Sequence, residues 1–384
     1  MPNEKREIFK PIDIHRAYID CRKRKRCTVN ALRFEIEQDK NLLRLEKELN
    51  SGRYYPSRSV CFIIKKPKTR EIFAADFYDR VVHHLVVRNL ETHWEKRFIH
   101  DSYACRKGKG SHSAVERLSH FLRSTTCNGT ERMFFLQFDV ENFFMSVDKN
   151  RLYKMLCGGI KKQFKNEEYC AWKNLIRILL HHDPCKSYIR KCGKKEWDSI
   201  SPAKSLFNCK KGYGMPIGNL TSQFFANVYL NHLDQFIKRK LKIKKYIRYV
   251  DDAVILHESR SFLEDIYRQI EIFLEDELDL RLKAKAKQLK PVSCGINFLG
   301  YIVHTDHILT RKRVVNNFVL HLENLKNEWG NLEEKRDEQF LKKLEAEINS
   351  YSAHFKRSDS FNLRKRIYEE NRWIDEPLKL LEEL

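Results

Sequence analysis

Long apolar runs are missing from this chain of 384 residues. No stretch approaches the roughly 18 apolar residues of a membrane-spanning helix, and the start at Met1 leads into no apolar signal-peptide core. We therefore expect a cytoplasmic protein without a membrane partner. Internal repeats and low-complexity linkers are also missing. Hydrophobic residues make up 42% of the chain, which predicts folded units with a sizeable core and excludes wholesale disorder.

Cysteine pairs at metal-binding spacing are missing too. None of the eleven cysteines has the C-x2-C or C-x4-C spacing that is typical of structural zinc. The number is odd, and we expect reduced thiols rather than a disulfide framework. Five cysteines lie in a basic stretch, residues 150–213, together with His181 and His182. A zinc site there is the less favoured alternative to ordinary thiols, and the role of the stretch stays open.

Acidic residues are too few to balance the basic ones. The chain has 74 Lys and Arg against 52 Asp and Glu, a formal net charge of +22. Such an excess predicts a polyanionic partner, either nucleic acid or an anionic membrane surface. Nucleic acid is favoured because nothing else in the sequence indicates a membrane.

Apolar periodicity predicts a mixed α/β body followed by a helical tail. Apolar residues recur at helical spacing near the N-terminus and beyond residue 305, and short apolar runs with β-forming residues lie between. The main predicted elements are a helix over 33–49, hairpin arms at 60–64 and 70–73, a helix over 77–90, a strand over 133–138, a helix over 222–233, a strand–turn–strand over 246–256, a helix over 262–280 and a strand over 297–303.

Two acidic sites stand at the ends of apolar strands. Asp139 follows a buried run, and Asp251 with Asp252 lies at the turn of an apolar hairpin. Buried charges are costly unless they are paired or bind a metal, and adjacent acids repel each other. A pair of divalent cations relieves that repulsion and serves phosphoryl transfer. The alternative is that these residues are turn and cap residues, and the second strand-end aspartate makes the catalytic interpretation the favoured one.

Both acidic sites resemble motifs of reverse transcriptases. Tyr249-Val-Asp-Asp252 resembles their YxDD box, and Phe138-Asp-Val-Glu-Asn-Phe-Phe144 resembles their first carboxylate motif. The resemblance implies an α+β right-hand polymerase fold with fingers, a palm containing an antiparallel sheet, and a helical thumb. The expected domains are an N-terminal helical extension (1–50), fingers and the start of the palm (51–132), a palm with an insertion around 150–213 (133–305) and a thumb (306–384).

The resemblance also implies an RNA-directed DNA polymerase and assigns its centre. Asp139, Asp251 and Asp252 would be catalytic. They would hold two Mg²⁺ ions, with Mn²⁺ as an alternative, beside the backbone of Val140. Phe144 would screen the sugar 2′ position of the nucleotide, and its alternative role is that of a core aromatic.

Further residues are expected to contact the substrates. Basic hairpin residues suit the triphosphate, because a guanidinium forks onto phosphate oxygens, although a solvated surface charge is the alternative for each lysine. The predicted nucleotide-binding residues are Arg70, Lys65, Lys68, Phe144, Ile217, Gly218 and Gln223, and Lys66 lies on the same predicted hairpin. The predicted template- and primer-binding residues are Arg106, Lys109, Tyr249 and Gly300. One of Lys283, Lys285 and Lys287 is also expected to approach the triphosphate or the template.

The motif Gly214-Met-Pro-Ile-Gly-Asn-Leu-Thr-Ser-Gln223 resembles a particular branch of the family, the reverse transcriptases of diversity-generating retroelements. Most relatives have a Gln where Ile217 stands. Because an apolar contact discriminates weakly between similar partners, Ile217 would loosen nucleotide selection. This branch implies cDNA copies of a retroelement template RNA with errors at template adenines, which diversify a target gene in a bacterial or phage setting.

The expected partners are template RNA, the RNA–DNA duplex, dNTPs and a small basic accessory protein. Two alternatives stay open. One is a retron-like or antiphage-defence reverse transcriptase, and the other is a non-catalytic RNA-binding scaffold on the same fold.

Overall fold

The computed structural model describes residues 7–23, 25, 28–65, 68–332 and 337–382. In chain order, the first part of the body contains α1 (Pro11–Arg22), α2 (Val29–Ile36), α3 (Gln38–Asn50), β1 (Ser59–Ile64), β2 (Arg70–Ala74), α4 (Phe77–Glu95), α5 (Ser111–Thr125), β3 (Phe134–Asp139), α6 (Phe143–Ser146), α7 (Lys149–Ile160), α8 (Asn166–His181), β4 (Tyr188–Arg190) and α9 (Lys194–Trp197). The rest contains α10 (Leu220–Gln235), β5 (Tyr246–Tyr249), β6 (Asp252–His257), α11 (Arg260–Leu278), β7 (Gln288–Pro291), β8 (Ile296–Phe298), β9 (Tyr301–Val303), β10 (Ile308–Thr310), α12 (Lys312–Gly330), α13 (Glu338–Phe355), α14 (Phe361–Glu370) and α15 (Asp375–Glu382).

The central sheet is antiparallel and has the strand order β5-β6-β3-β7. Strand β3 is apolar on both faces because both are covered. Leu136 and Phe138 belong to a large core shared with helices α4, α10 and α11, whereas Phe135 belongs to a second core with Leu118 of α5. The predicted strand over 133–138 and the predicted strand–turn–strand over 246–256 are confirmed.

The predicted hairpin is also confirmed, with Ile64 paired to Arg70 next to its turn. Strand β4, from the stretch that the sequence left unorganised, pairs in parallel with β1, with Tyr188 opposite Ser59. The hairpin therefore becomes a three-stranded sheet of order β2-β1-β4. Lys66 lies outside the described residues.

Two predicted elements are interrupted. The strand expected over 297–303 is the hairpin β8–β9, whose turn residues Leu299 and Gly300 have φ values of 52° and 92°. Two successive positive φ values are what a two-residue hairpin turn requires, and the apolar side chain of Leu299 disguises it. The helix expected over 33–49 is likewise two helices, α2 and α3, which meet at Glu37 with φ −120° and ψ 41°.

The N-terminal helices share the core of the body. Tyr18 of α1 and Phe34 of α2 stack with their ring centroids 5.6 Å apart, and both rings contact Phe77 of α4. Across the described residues, no helix is long and apolar enough to cross a bilayer.

The C-terminal helices have apolar cores of their own. Phe318 of α12 packs with Phe355 of α13 and Ile367 of α14, and Trp329 packs with Phe340 in a second cluster. They follow β10, which pairs with β9. The predicted boundary at 305/306 therefore falls inside the three-stranded sheet β8-β9-β10.

Candidate active site

The three aspartates meet at one end of the central sheet. Asp139 is the last residue of β3 and lies directly opposite Asp252, the first residue of β6. Asp251 occupies the β5–β6 turn, where the preceding Val250 has a φ of 56°. That region is strained for a β-branched residue, so the turn is a specific local structure and not a relaxed loop.

Burial and mutual repulsion shape the charge of this site. Burial, and after it the charge of the neighbouring Asp139, raise the pKa of the Asp251 carboxyl to about 6. Burial likewise raises the pKa of the Asp252 carboxyl to about 7. Lys68 acts in the opposite direction on the pKa of both groups. The site therefore holds more negative charge than its surroundings compensate.

Gln137 is a contact of the site that the sequence analysis missed. It lies two residues before Asp139, on the same face of β3, and its Nε2 donates to Asp252 Oδ1 at 3.0 Å and to the Asn297 carbonyl at 3.0 Å. This hydrogen bond lowers the pKa of Asp252 against the effect of burial. The sequence signal for this contact is a single amide side chain inside an otherwise apolar strand, because a buried amide needs hydrogen-bond partners.

A cleft with an empty volume of about 1850 Å³ opens in front of the aspartates. It brings together predicted residues from four separate segments of the chain. The predicted site residues that line it are Lys68, Arg70, Asp139, Val140, Phe144, Ile217, Gly218, Gln223, Tyr249 and Asp251.

The glycine-containing motif is clamped to strand β2. The Phe73 amide donates to the Ile217 carbonyl at 2.8 Å, and the Ala75 amide donates to Asn219 Oδ1 at 3.1 Å. Gly218 has a φ of 124°, and a Cβ there would lie 3.0 Å from the Phe73 carbonyl oxygen. Only glycine fits this approach. The clamp fixes the backbone from which the Ile217 side chain enters the cleft.

Phe144 is held against the same motif. Its carbonyl accepts the Met215 amide at 2.7 Å, and the Val147 carbonyl accepts the Gly214 amide at 3.0 Å. The half-buried ring packs edge-on against Phe143, with centroids 5.3 Å apart. Phe144 therefore both packs on the core and lines the cleft, in keeping with the two roles that the sequence left open.

The basic hairpin residues separate into two groups. Lys68 and Arg70 are exposed and line the cleft. Lys65 instead forms an ion pair with Glu196 of α9, with a nitrogen–oxygen distance of 3.0 Å. Its predicted nucleotide contact stays a prediction.

Three of the predicted template- and primer-binding residues lie elsewhere. The buried Arg106 guanidinium pairs with Glu95 at 2.7 Å and also donates to the carbonyls of Ile99 and Ser102. Lys109 donates to the His100 carbonyl. Gly300 lies in the β8–β9 turn against His354 of α13. These placements favour structural roles, and the nucleic-acid contacts of these residues stay predictions.

Residues 184–213, here called the wall segment, contribute a side of the cleft that the sequence did not reveal. Ser201, Ala203 and Lys204 line it. The buried Glu71 carboxylate holds this segment by accepting the Ser205 hydroxyl at 2.7 Å and the Leu206 amide at 2.8 Å. These hydrogen bonds of Glu71 hold the segment that brings an exposed cation, Lys204, to the cleft that Lys68 and Arg70 also line.

The lysines after α11 behave differently from one another. The backbone amide of Lys283 donates to the Asp139 carbonyl at 2.9 Å, and its side chain lines the cleft. Lys287 instead lies over the Tyr267 ring, 3.9 Å from its centroid.

The chemistry of the donor set fits divalent cations. Carboxylates and backbone carbonyls are the ligands that Mg²⁺ takes, and it completes its shell with water and substrate phosphates. The uncompensated charge on Asp251 and Asp252 is the property that such ions relieve. In the described ranges no group of three or more His, Cys, Asp or Glu residues could hold a metal ion. This holds for the thiols around His181 and His182 and also for the three aspartates, so cations there would need further oxygens from water and substrate phosphates.

Comparison with known proteins identifies the family. The family described as reverse transcriptase (RNA-dependent DNA polymerase) matches residues 63–303, more than half of the chain. The chain belongs to the reverse transcriptase family. Its right-hand polymerase fold, with mixed helices and antiparallel sheets, follows from this membership.

Individual relatives are distant. The chain is 22% identical over 317 residues to the group II intron-encoded protein LtrA of Lactococcus lactis subsp. cremoris, and equally to that of strain MG1363. These matches cover 72% of this chain, which spans about half (51%) of the length of these curated relatives.

Solved structures give weaker likenesses. Apo telomerase of Candida tropicalis, truncated from its C-terminal domain, aligns with a TM-score of 0.47 at 12% identity, covering 66% of this chain and 55% of that chain. Telomerase of Candida albicans with a TWJ fragment of telomeric RNA aligns at 0.45 and 12% identity, covering 77% and 56%.

Proposed function

We propose that this reverse transcriptase is an active RNA-directed DNA polymerase. A primer 3′-hydroxyl would attack the α-phosphate of a dNTP, a new phosphodiester bond would form, and pyrophosphate would leave. The observation that carries the proposal is the shared cleft. Asp139 and Asp251 face the same space as the exposed cations Lys68 and Arg70.

The protein groups would act mainly by positioning, because phosphoryl transfer needs orientation and charge neutralisation more than covalent help. Lys68 and Arg70 would bind triphosphate oxygens, and Arg70 would do so through two parallel hydrogen bonds. Phe144 would orient the sugar. Tyr249 and the clamped motif at Ile217 and Gly218 would contact the nascent base pair.

Asp139, Asp251, Asp252 and the Val140 carbonyl would hold two divalent cations. Such ions, when bound, neutralise the charge that develops on the attacking and leaving oxygens. We propose Mg²⁺, with Mn²⁺ as the alternative.

Primer extension tests this proposal. The native chain is incubated with a primed RNA template, dNTPs and Mg²⁺, beside the variant Asp251→Asn. We expect synthesis that requires the metal and falls by about a thousandfold or more in the variant, which corresponds to about 4 kcal/mol of lost transition-state stabilisation. No synthesis by the native chain, even with its cognate RNA and accessory protein, would leave the non-catalytic scaffold as the better interpretation.

We further propose that copying is error-prone at template adenines and serves diversification of a target gene. The support is Ile217, whose side chain lines the cleft while its carbonyl is fixed to Phe73. An apolar side chain cannot hydrogen-bond to the nascent pair, so correct and incorrect pairs differ less in binding free energy.

Sequencing of the products tests the role of Ile217. The variant Ile217→Gln should lower misincorporation at template adenines by roughly the ten- to hundredfold that a small binding difference supplies. Ile217→Leu serves as the control, since it stays apolar. An identical error spectrum in all three proteins would reject the role of Ile217. Accurate copying by the native chain would favour the retron-like or antiphage alternative.

The proposed partners follow from charge and from resemblance. The net charge of +22 supports template RNA and the RNA–DNA duplex. The small basic accessory protein rests only on the resemblance of residues 214–223. We also propose that 51–132 contains the fingers, 133–305 the palm and 306–384 the thumb, with 1–50 as a helical extension.

A further inference from the structure

We propose that a buried ion pair, Arg248 with Asp234, positions the catalytic turn, and that Arg248 does so by holding the Val250 carbonyl. The inference rests on the proposed polymerase function, because it concerns how Asp251 and Asp252 reach their places. Arg248 would be a positioning residue, since its side chain is only 1% exposed and cannot touch a ligand in the cleft.

The pair is fully withdrawn from solvent. The Arg248 guanidinium donates through Nε to Asp234 Oδ1 at 2.7 Å and through Nη2 to Asp234 Oδ2 at 2.5 Å. The Tyr246 hydroxyl donates to the same Asp234 Oδ1 at 2.8 Å. Asp234 belongs to α10 and the arginine to β5, so the pair joins the helix behind the sheet to the strand that leads into the turn.

Stability alone does not explain such a pair. Desolvation of two charges offsets most of their attraction, and apolar residues of similar volume often serve a fold equally well. A better explanation is that the guanidinium, besides pairing with Asp234, makes a further contact that the site needs. The remaining terminal nitrogen, Nη1 of Arg248, donates to the Val250 carbonyl at 2.7 Å.

Val250 is the residue whose conformation needs such support. Its φ of 56° places a β-branched residue in the left-handed region, a state that persists only where the surroundings over-determine it. The carbonyl that Arg248 holds belongs to the peptide that begins Asp251. A shift of this peptide would move the Asp251 carboxylate relative to Asp139 on the neighbouring β3.

The same guanidinium connects the turn to other walls of the cleft. Nη2 reaches Ser102 Oγ at 3.2 Å, and Nη1 lies 3.5 Å from Asn227 Oδ1. Asn227 in turn donates to the Ala104 carbonyl at 2.8 Å and lies one helical turn after Gln223. Arg248 therefore fixes the catalytic turn relative to the helix that follows the clamped motif.

The test separates positioning from folding and from activity. Arg248→Lys keeps the positive charge beside Asp234 but has no fork to reach the Val250 carbonyl as well. Mn²⁺ binding to the native chain and to the variant is followed by electron paramagnetic resonance, together with the half-activating Mg²⁺ concentration for synthesis. We expect Mn²⁺ affinity to fall about 10- to 100-fold, while KM for dNTP changes by less than about threefold because the cations of the cleft are untouched.

Tyr246→Phe is the matched control. It removes a hydrogen bond to Asp234 from the same buried network without a contact to the turn, and Mn²⁺ affinity should stay native. Equal losses in both variants would mean a general structural role for the network and would overturn the proposal. So would native Mn²⁺ affinity in a folded Arg248→Lys.

A second variant decides the matter if Arg248→Lys does not fold. The double variant Asp234→Leu with Arg248→Met replaces both charges by apolar residues, which keeps the core filled. It should melt cooperatively near the native temperature and still bind Mn²⁺ about tenfold or more weakly. Native Mn²⁺ binding by the double variant would sink the inference. Because metal binding is read directly, this outcome is distinct from a native chain that makes no DNA.

Discussion

Carboxylates at two places near the cleft, Glu71 under the wall segment and Asp251 with Asp252 at the end of the central sheet, differ in how their oxygens are paired. Glu71, under the wall segment, has a pKa that burial raises, yet both of its oxygens accept hydrogen bonds, from Ser205 and Leu206. In the palm, burial raises the pKa of Asp251 and Asp252, and the side-chain donor to Asp252 is Gln137. Glu71, with a donor on each oxygen, holds the wall segment in place, whereas the mutually repelling Asp251 and Asp252 suit a cation.

This contrast predicts that replacement of Glu71 lowers the free energy of unfolding and that replacement of Asp252 raises it. Loss of a satisfied buried acceptor leaves two donors unpaired and destabilises the fold. Loss of a carboxylate from a repulsive group relieves the folded state, as is common at functional sites.

Replacement of Glu71 should give the largest change in the free energy of unfolding. Glu71→Ala is expected to lower the free energy of unfolding by about 2 kcal/mol, because the Ser205 hydroxyl and the Leu206 amide lose their acceptor. Chemical denaturation of the metal-free protein measures it. Glu71→Gln, which keeps one acceptor oxygen and an amide that can donate to Ser205, should stay near native. Equal losses in the two variants would mean that charge, and not these hydrogen bonds, matters at this position.

Replacement of Lys204 should weaken dNTP binding without a change in stability, which would separate the role of this side chain from that of Glu71. Lys204→Ala is expected to raise KM for dNTP by about tenfold, which corresponds to about 1.4 kcal/mol for one lost charged contact. The free energy of unfolding should not change, since this side chain is exposed. Steady-state kinetics measures the effect. Lys195→Ala, an exposed change in the same wall segment but away from the cleft, should leave KM native, and a similar rise there would indicate a nonspecific charge effect.

Replacement of Asp252 should give the smallest of the three free-energy changes, and it should stabilise the fold where replacement of Glu71 destabilises it. The pKa of this carboxyl is raised from 3.8 to about 7 in the folded chain, so folding with the charged form becomes costly above about pH 4 and the cost is fully present above pH 7. Asp252→Asn should therefore raise the free energy of unfolding by about 1 kcal/mol at pH 8. The gain should shrink as the pH falls through 7 towards 4, where both states hold the proton. Thermal melts from pH 5 to pH 8 without metal measure it, and a gain that does not depend on pH would argue against repulsion as its cause.

The strands that position the aspartates could be predicted from the sequence because their signals are local. Strand β3 is a continuous apolar run that ends in Asp139, and the β5–β6 hairpin places its acids within a few residues of two apolar strands. Each motif contains its own structural context. The YxDD resemblance alone indicates the reverse transcriptase family.

The wall segment could not be predicted because its signals are distant. Glu71 and Ser205 are 134 residues apart in sequence, and β4 joins β1 by parallel pairing. Arg106 shows that a local signal can also mislead. A basic turn indicates charge, but only the fold shows that Glu95 occupies this guanidinium. Leu299 hid a turn because an apolar residue there is unusual.

The packing of α1 against α4 limits how the chain can be shortened. Ile14, Ala17 and Tyr18 of α1 share one buried core with Phe77 and Val81 of α4, and the Tyr18 and Phe77 ring centroids lie 6.3 Å apart. A version that lacks the first 50 residues would expose this apolar surface to water. Such a surface promotes association, so we expect aggregates rather than a smaller working enzyme. Shortened versions of the protein should therefore retain α1.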